Sequence, residues 1–356
     1  MKKKISSATL FIISATLIVT ISVYAQEFPP FPGVKTMGER IVPAPVGLSS
    51  ELGAIIANHQ IPPVISPPAT QEGWLELQAQ WDAPFAEMSQ DAAKRIGATY
   101  EAKEIAGVPC YVVTPNEIGE RFKDSIFVHL HGGAFVFGGG EAAVREALWI
   151  ADGLKARVIS VDYRRPPTHP FPAAIDDGVA VWKEVIQGKD GSAAALFGTS
   201  AGGNLTLATT LKLKELGLPL PGALFAGTPA TDLGKTTDTW FTLQGLDPLG
   251  QREGLIKGTF DVYVPSGDFS NPLVSPVYGD LKGFPPTILI SGTRDLLLSD
   301  TVRMHRALRE ADVEAQLHVY DGQSHGDYMQ GLLHTVPESI DAQKEIFQFF
   351  DNYLKP

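Results

Sequence analysis

Ala194-Ala195-Leu196-Phe197-Gly198-Thr199-Ser200-Ala201-Gly202-Gly203-Asn204 is the stretch on which the fold turns. The apolar run 194–197 reads as a buried strand, and a helical run follows near 201–216. Between them Gly198 and Gly202 bracket Ser200 in a G-x-S-x-G pattern. A sharp strand-to-helix turn needs glycine where backbones crowd, and such a turn lifts the serine hydroxyl above the sheet edge. The helix start behind it supplies unpaired N–H groups and the positive end of a dipole. The five-residue pattern alone is common by chance. Its strand–turn–helix frame is what marks Ser200 as a candidate nucleophile.

Upstream, His129-Leu130-His131-Gly132-Gly133-Ala134-Phe135 follows a strand-like run at 125–130. Attack on an acyl carbon creates an oxyanion, and one missing donor to it costs about 3 kcal/mol of transition-state stabilisation. Gly132 and Gly133 can present bare N–H groups, and the N–H of Ala201, next after the serine, completes the set. The bland alternative is a glycine loop with two core histidines. His129-x-His131 also suggests a metal pair, but no third ligand is evident, so no metal is expected.

A serine needs a base, and the base needs an orienting acid. In the strand–elbow–helix class the acid and then the histidine follow the serine along the chain. Asp295, in Gly292-Thr293-Arg294-Asp295, follows the strand-like run 287–291. His325, in Gly322-Gln-Ser-His-Gly326, follows 314–319. Both fall in loops at strand ends, where the elbow also lies. His305, His318 and His334 compete for the base, and Asp300, which reads as a helix N-cap, competes for the acid.

Outward from these motifs, strand-like runs at 99–105, 109–114, 125–130, 158–161, 194–197, 222–226, 287–291 and 314–319 alternate with helical ones near 141–155, 173–187, 201–216, 300–311 and 337–354. Such alternation predicts an α/β sheet, mostly parallel, with an antiparallel edge hairpin turning at Ala106-Gly107. Residues 26–70 are rich in proline and predict an extended arm with one short helix near 50–58. Residues 71–95 read as a helix, packed on the main domain or covering a site. The expected domains are 1–25, 26–95 as arm and helical cap, and 96–356 as the catalytic domain, with a cap insert at about 233–270. Trp74, Trp81, Phe85, Trp240 and Phe241 are candidate pocket walls or core.

The 356 residues carry a net charge of −11, which argues against nucleic acid as a partner. Lys2, Lys3 and Lys4, the apolar run 5–23 and Val23-Tyr24-Ala25 form a secretory signal pattern with cleavage predicted after Ala25. That implies a periplasmic or secreted protein; an uncleaved anchor is the competing reading. Three lysines and no acid would leave with the leader, taking the charge from −11 to −14. No later run is long and apolar enough to span a membrane. Cys110 is the only cysteine, which excludes an intrachain disulfide; it reads as a buried structural thiol. The oligomeric state, monomer or homodimer, stays open.

Several of these segments together resemble the hormone-sensitive-lipase-like family of α/β-hydrolases, in its G-T-S-A-G form. His131-Gly-Gly-Ala-Phe135 is similar to the family's H-G-G-G-[FW]. Val161-Asp-Tyr-Arg164 and Pro170-Phe-Pro-Ala-Ala174 resemble V-D-Y-R-L-A-P-E…F-P-A-A, and Gly198–Asn204 resembles G-[DT]-S-A-G-G-N. Thr231-Asp-Leu233, Ser275-Pro276 and Phe284-Pro-Pro286 also fall where the family has similar residues. The resemblance covers roughly 98–356. It implies an α/β-hydrolase fold with an eight-stranded, mostly parallel sheet flanked by helices. It also implies a serine carboxylesterase acting on short to medium acyl chains, with no cofactor. Carried across residue by residue, Ser200 matches the nucleophile, Asp295 the acid, His325 the base, and Gly132, Gly133 and Ala201 the oxyanion donors. Lactones, amides and polyesters are alternative substrates for the same groups, and a non-catalytic binding protein is the rival from another class. Four departures stand out: Ala134 for the third glycine, Thr199 for the commoner Asp, Arg165-Pro-Pro-Thr168 for L-A-P-E, and Asp327 where His-Gly-Phe is usual.

Overall fold

The computed structural model describes residues 41–234, 237–332 and 336–355, with Glu39. The expected leader at 1–25, the start of the arm and His334 lie outside them. Eight strands form one sheet in the order β1-β2-β4-β3-β5-β6-β7-β8. They are β1 Thr99–Ile105, β2 Val108–Thr114, β3 Ile126–Leu130, β4 Val158–Val161, β5 Ala194–Thr199, β6 Ala223–Gly227, β7 Thr287–Gly292 and β8 Ala315–Tyr320. The hairpin β1–β2 turns at Ala106 and Gly107, both at positive φ, and β2 also runs antiparallel to β4; β3 to β8 are parallel. The sequence-predicted strands are all present, with ends displaced by a residue or two.

The central strands are apolar runs because both faces are covered. On β3, β5, β6 and β7, side chains alternate between two cores. Val128, Leu130, Leu196, Leu224 and Leu289 enter one; Phe127, Phe197, Phe225, Ile288 and Ile290 enter the other. The first core is closed by α4 (Ala173–Val185), α5 (Ala201–Glu215) and α8 (Leu298–Glu310). The second is closed by α3 (Val144–Leu154) and α9 (Pro337–Tyr353).

Ahead of the sheet lie α1 (Ser50–Asn58) and the long α2 (Gln71–Ile96). Ser49 caps α1 and is itself held by Glu338 of α9, through its N–H and its hydroxyl, both at 2.7 Å. Thr70 caps α2, and Gly97 in the left-handed region ends it. Between β6 and β7 two short helices, α6 (Thr239–Thr242) and α7 (Leu255–Tyr263), form an excursion. Among the described residues no helix is long and apolar enough to cross a membrane.

This topology decides where a ligand can sit. From β3 the chain goes to β4 on one side and later to β5 on the other. Loops leaving the C-terminal ends of β3 and β5 therefore diverge and open a crevice, the usual ligand site of parallel sheets. The His131–Gly133 loop leaves β3 there, and Ser200 leaves β5.

Candidate active site

Ser200 stands between β5 and α5 with φ 63° and ψ −120°. Such a backbone costs a non-glycine residue about 1–3 kcal/mol and persists only when its surroundings over-determine it. Here the Ser200 N–H donates to the Gly227 carbonyl of β6 at 2.8 Å, while α5 begins immediately at Ala201. The flanking glycines are forced by contact: a Cβ at Gly198 or Gly202 would lie 2.1 or 2.0 Å from the Leu130 carbonyl oxygen of β3. A Cβ at Gly132 would meet the Thr199 carbonyl at 2.8 Å and the Ser200 Cβ at 3.6 Å. The β3 loop thus lies directly against the elbow.

The two peptides that carry the Gly132 and Gly133 N–H groups are both held through their carbonyls. Tyr163 O–H donates to the His131 carbonyl at 2.7 Å, which fixes the plane of the Gly132 N–H. His131 Nδ1 donates to the Gly132 carbonyl at 2.7 Å, which fixes the plane of the Gly133 N–H. The His131 ring stacks on Tyr163 at 4.0 Å between centroids. Burial, reinforced by the charge of Arg165, pushes the His131 pKa well below its ordinary value. The ring is therefore neutral, and its one proton sits on Nδ1, facing the carbonyl.

His325 lies in the loop after β8, with Nδ1 3.0 Å from Oδ1 of the fully buried Asp295. The same Oδ1 accepts the Leu297 N–H at 2.9 Å, and Oδ2 accepts the Ser291 hydroxyl at 2.7 Å. Burial opposes a charge on His325, but Asp295, followed by Asp247 and Asp327, outweighs it and raises its pKa above the ordinary value. Ser200, His325, Gly132, Gly133 and Ala201 all line one cavity of about 460 Å³.

A protein-family model described as alpha/beta hydrolase fold matches residues 127–329. The chain belongs to the α/β-hydrolase family, in its hormone-sensitive-lipase group. It is 32% identical over 225 residues to an esterase of Acinetobacter venetianus, covering 63% of this chain and 74% of that one. The crystal structure of esterase E25 superimposes with a TM-score of 0.87 at 42% identity, covering 90% of this chain and 99% of that one. An esterase from the bacterial hormone-sensitive lipase family gives 0.73 at 28% identity, covering 86% and 99%.

Within this α/β-hydrolase the described competitors, His305, His318 and Asp300, sit away from the cavity. His305, on α8, faces the Ala315 carbonyl of β8 at 3.3 Å, and His318 is paired within β8 against Ile290. Neither lines the cavity. Asp300 is not a helix N-cap as expected. It lies inside α8, buried, where Oδ1 accepts the N–H groups of Thr231 and Asp232 and Oδ2 the Thr237 hydroxyl. Thr231, Asp232 and Thr237 thus meet α8, a contact no local pattern encodes. His129 and His131 do not pair. His129 contacts Ser160 and Glu146 at 2.9 and 3.0 Å. Burial pushes the Cys110 thiol up to about 12, away from thiolate chemistry.

The departures from the family pattern have visible partners. Thr199 donates to Glu146 Oε1 at 2.6 Å and contacts the Tyr328 hydroxyl. Asp327 closes its own turn by accepting the Ser324 N–H at 2.7 Å. Among the residues the sequence reading missed, one lies beside the histidine. Asp247, in the excursion between β6 and β7, is fully buried and lines the cavity. Its Oδ2 accepts the N–H of Leu296 at 2.8 Å and of His325 at 3.2 Å; its Oδ1 accepts that of Leu249 at 2.8 Å. Burial, then the charge of Asp295, pushes its carboxyl up to about 7. Nothing in Gly245-Leu-Asp247-Pro248 marks it as more than a turn. Of the aromatic candidates, Trp81, Phe85 and Trp240 line the cavity, while Trp74 and Phe241 do not.

Proposed function

We propose that this chain hydrolyses short to medium carboxylic esters through an acyl-enzyme on Ser200. Ester hydrolysis is the activity named for its relatives. The observation that carries the mechanism is the Asp295–His325 contact at 3.0 Å, on a histidine that lines the same cavity as Ser200 and the glycine loop. His325 Nε2 takes the proton of the Ser200 hydroxyl as its oxygen attacks the carbonyl carbon. The N–H groups of Gly132, Gly133 and Ala201 receive the developing oxyanion. As the tetrahedral centre collapses, the ester C–O bond breaks and His325 returns the proton to the leaving alcohol. Water, deprotonated by His325, then attacks the acyl-enzyme and releases the acid. Asp295 holds the ring with Nδ1 protonated and stabilises the imidazolium.

The cavity size suits a small ester, and Trp81 and Phe85 of α2 with Trp240 of the excursion give it apolar walls. On this reading α2 and the excursion act together as the cap. Lys2–Lys4 and the apolar run after them support export, which N-terminal sequencing of the mature protein tests. Activity should be highest on p-nitrophenyl acetate to hexanoate, and a fluorophosphonate should label Ser200. Absence of both turnover and labelling refutes the proposal.

A further inference from the structure

The β3 loop doubles back after its glycines, and the return is gripped by α2. The N–H groups of Val136 and Phe137 bond to the Gly133 carbonyl at 3.0 and 2.8 Å. Gly133, Ala134 and Phe135 have φ of 115°, 51° and 67°, three successive residues in the left-handed region. A loop bent in this way relaxes unless something outside it holds the shape. That hold comes from Gln78 and Asp82, one helical turn apart on the same face of α2. Asp82 Oδ1 accepts the Gly138 N–H at 2.6 Å, and Oδ2 accepts the Gly139 N–H at 3.3 Å and Arg165 Nη1 at 2.9 Å. Arg165 Nη1 also donates to the Val136 carbonyl at 2.9 Å, as does Gln78 Nε2 at 2.7 Å. Trp81 stacks on Phe137 at 4.9 Å. Gly138, the residue Asp82 grips most closely, rests on the oxyanion peptide: a Cβ there would lie 2.7 Å from the Gly132 carbonyl oxygen and 3.0 Å from His131 Nδ1.

We propose that Asp82, with Arg165, is a positioning residue for the Gly133 N–H. It presses Gly138 against the Gly132 carbonyl and so fixes the plane of the Gly132–Gly133 peptide. The helix α2 therefore sets oxyanion geometry as well as walling the cavity. Arg165 stands where the family carries Leu in V-D-Y-R-L, so the grip belongs to this chain's own residues. The inference rests on the reading of Gly133 as an oxyanion donor.

The test uses the full chain with Asp82→Asn, nearly isosteric, and Arg165→Met as a second route to the same loosening. On p-nitrophenyl acetate, Asp82→Asn should lower kcat about tenfold and leave KM within about twofold. Affinity for an aliphatic trifluoromethyl ketone, which forms a tetrahedral adduct on the serine, should fall by a similar factor. The rate ratio of an ester to its thionoester should fall as well, because sulfur depends less on the N–H donors. Arg165→Met should move the same three quantities by less, and the acid limb of the pH profile should stay in place. A rise in KM with an unchanged ester-to-thionoester ratio would show a wall residue only and overturn the proposal. So would unaltered kcat and inhibitor affinity in an enzyme that Ser200→Ala silences. Turnover surviving in Ser200→Ala would instead remove the reading on which the proposal rests.

Discussion

Asp247 shows how much a single buried carboxylate can do through the residues around it. It accepts the backbone N–H of His325 and raises the pKa of that ring, while its own carboxyl is pushed up to about 7. In the proposed mechanism His325 acts only when neutral, so activity rises with pH through a midpoint above the ordinary histidine value. Asp247 supports the imidazolium only where it is ionised, above about pH 7, so Asp247→Asn should move the acid limb of kcat/KM modestly to lower pH; an unmoved limb would contradict this coupling. Thr199 makes a second case. Its hydroxyl donates to Glu146 at 2.6 Å in a fully buried site. Thr199→Asp, the commoner residue in the family, would set a carboxylate against a carboxylate. An unpaired buried charge costs roughly 3–5 kcal/mol, which urea denaturation would read. Thr199→Asp combined with Glu146→Gln should recover much of that loss. The sequence marks Thr199 as a departure but not its reason, because Glu146 comes from α3, a separate turn of the chain.

At the scale of elements, the elbow is a three-body contact between β5, α5 and β3. Gly202 is the first turn of α5, and its missing Cβ is what lets Leu130 of β3 come so close. Gly202→Ala would meet backbone on the facing strand, which cannot rotate away. The variant should lose more than about 3 kcal/mol of stability, and its esterase activity with it. Gly53 is the contrast. It sits inside α1 with nothing within 4 Å of a built Cβ. Gly53→Ala should raise stability by up to about 1 kcal/mol, because alanine loses less backbone entropy in a helix. Chemical denaturation of the two variants side by side checks both signs. The element pattern itself was legible beforehand: short apolar runs for strands buried on both faces, glycines at the elbow, prolines along the arm.

At the scale of the whole molecule, pH-dependent stability follows from groups the chemistry does not use. Burial pushes the Asp300 carboxyl up to about 7, against about 3.9 in an unfolded chain. Between these values the folded state holds a proton that the unfolded state has lost. The contribution of Asp300 is therefore fully present below about pH 4 and declines as pH rises through about 7. Asp300→Asn keeps an acceptor for the Thr231 and Asp232 N–H groups and cannot ionise. It should gain on the wild type by a few kcal/mol, roughly 1.4 per pKa unit, as pH goes from 5 to 8; thermal unfolding across that range measures it. A constant gap between the two proteins would refute the assignment. Ser200, Asp295, His325 and the glycine pair could be found in the chain because each is bound to a local frame, a strand end followed by a turn. Such frames are short-range, so sequence alone determined the fold class, the succession of strands along the chain and the identity of these candidate groups. Asp247, the Asp82 grip and the burial of Asp300 join residues far apart in the chain. No local propensity encodes them, and only the packing of α2, the β6–β7 excursion and the sheet edge decided which carboxylates face the histidine and which hold the loop.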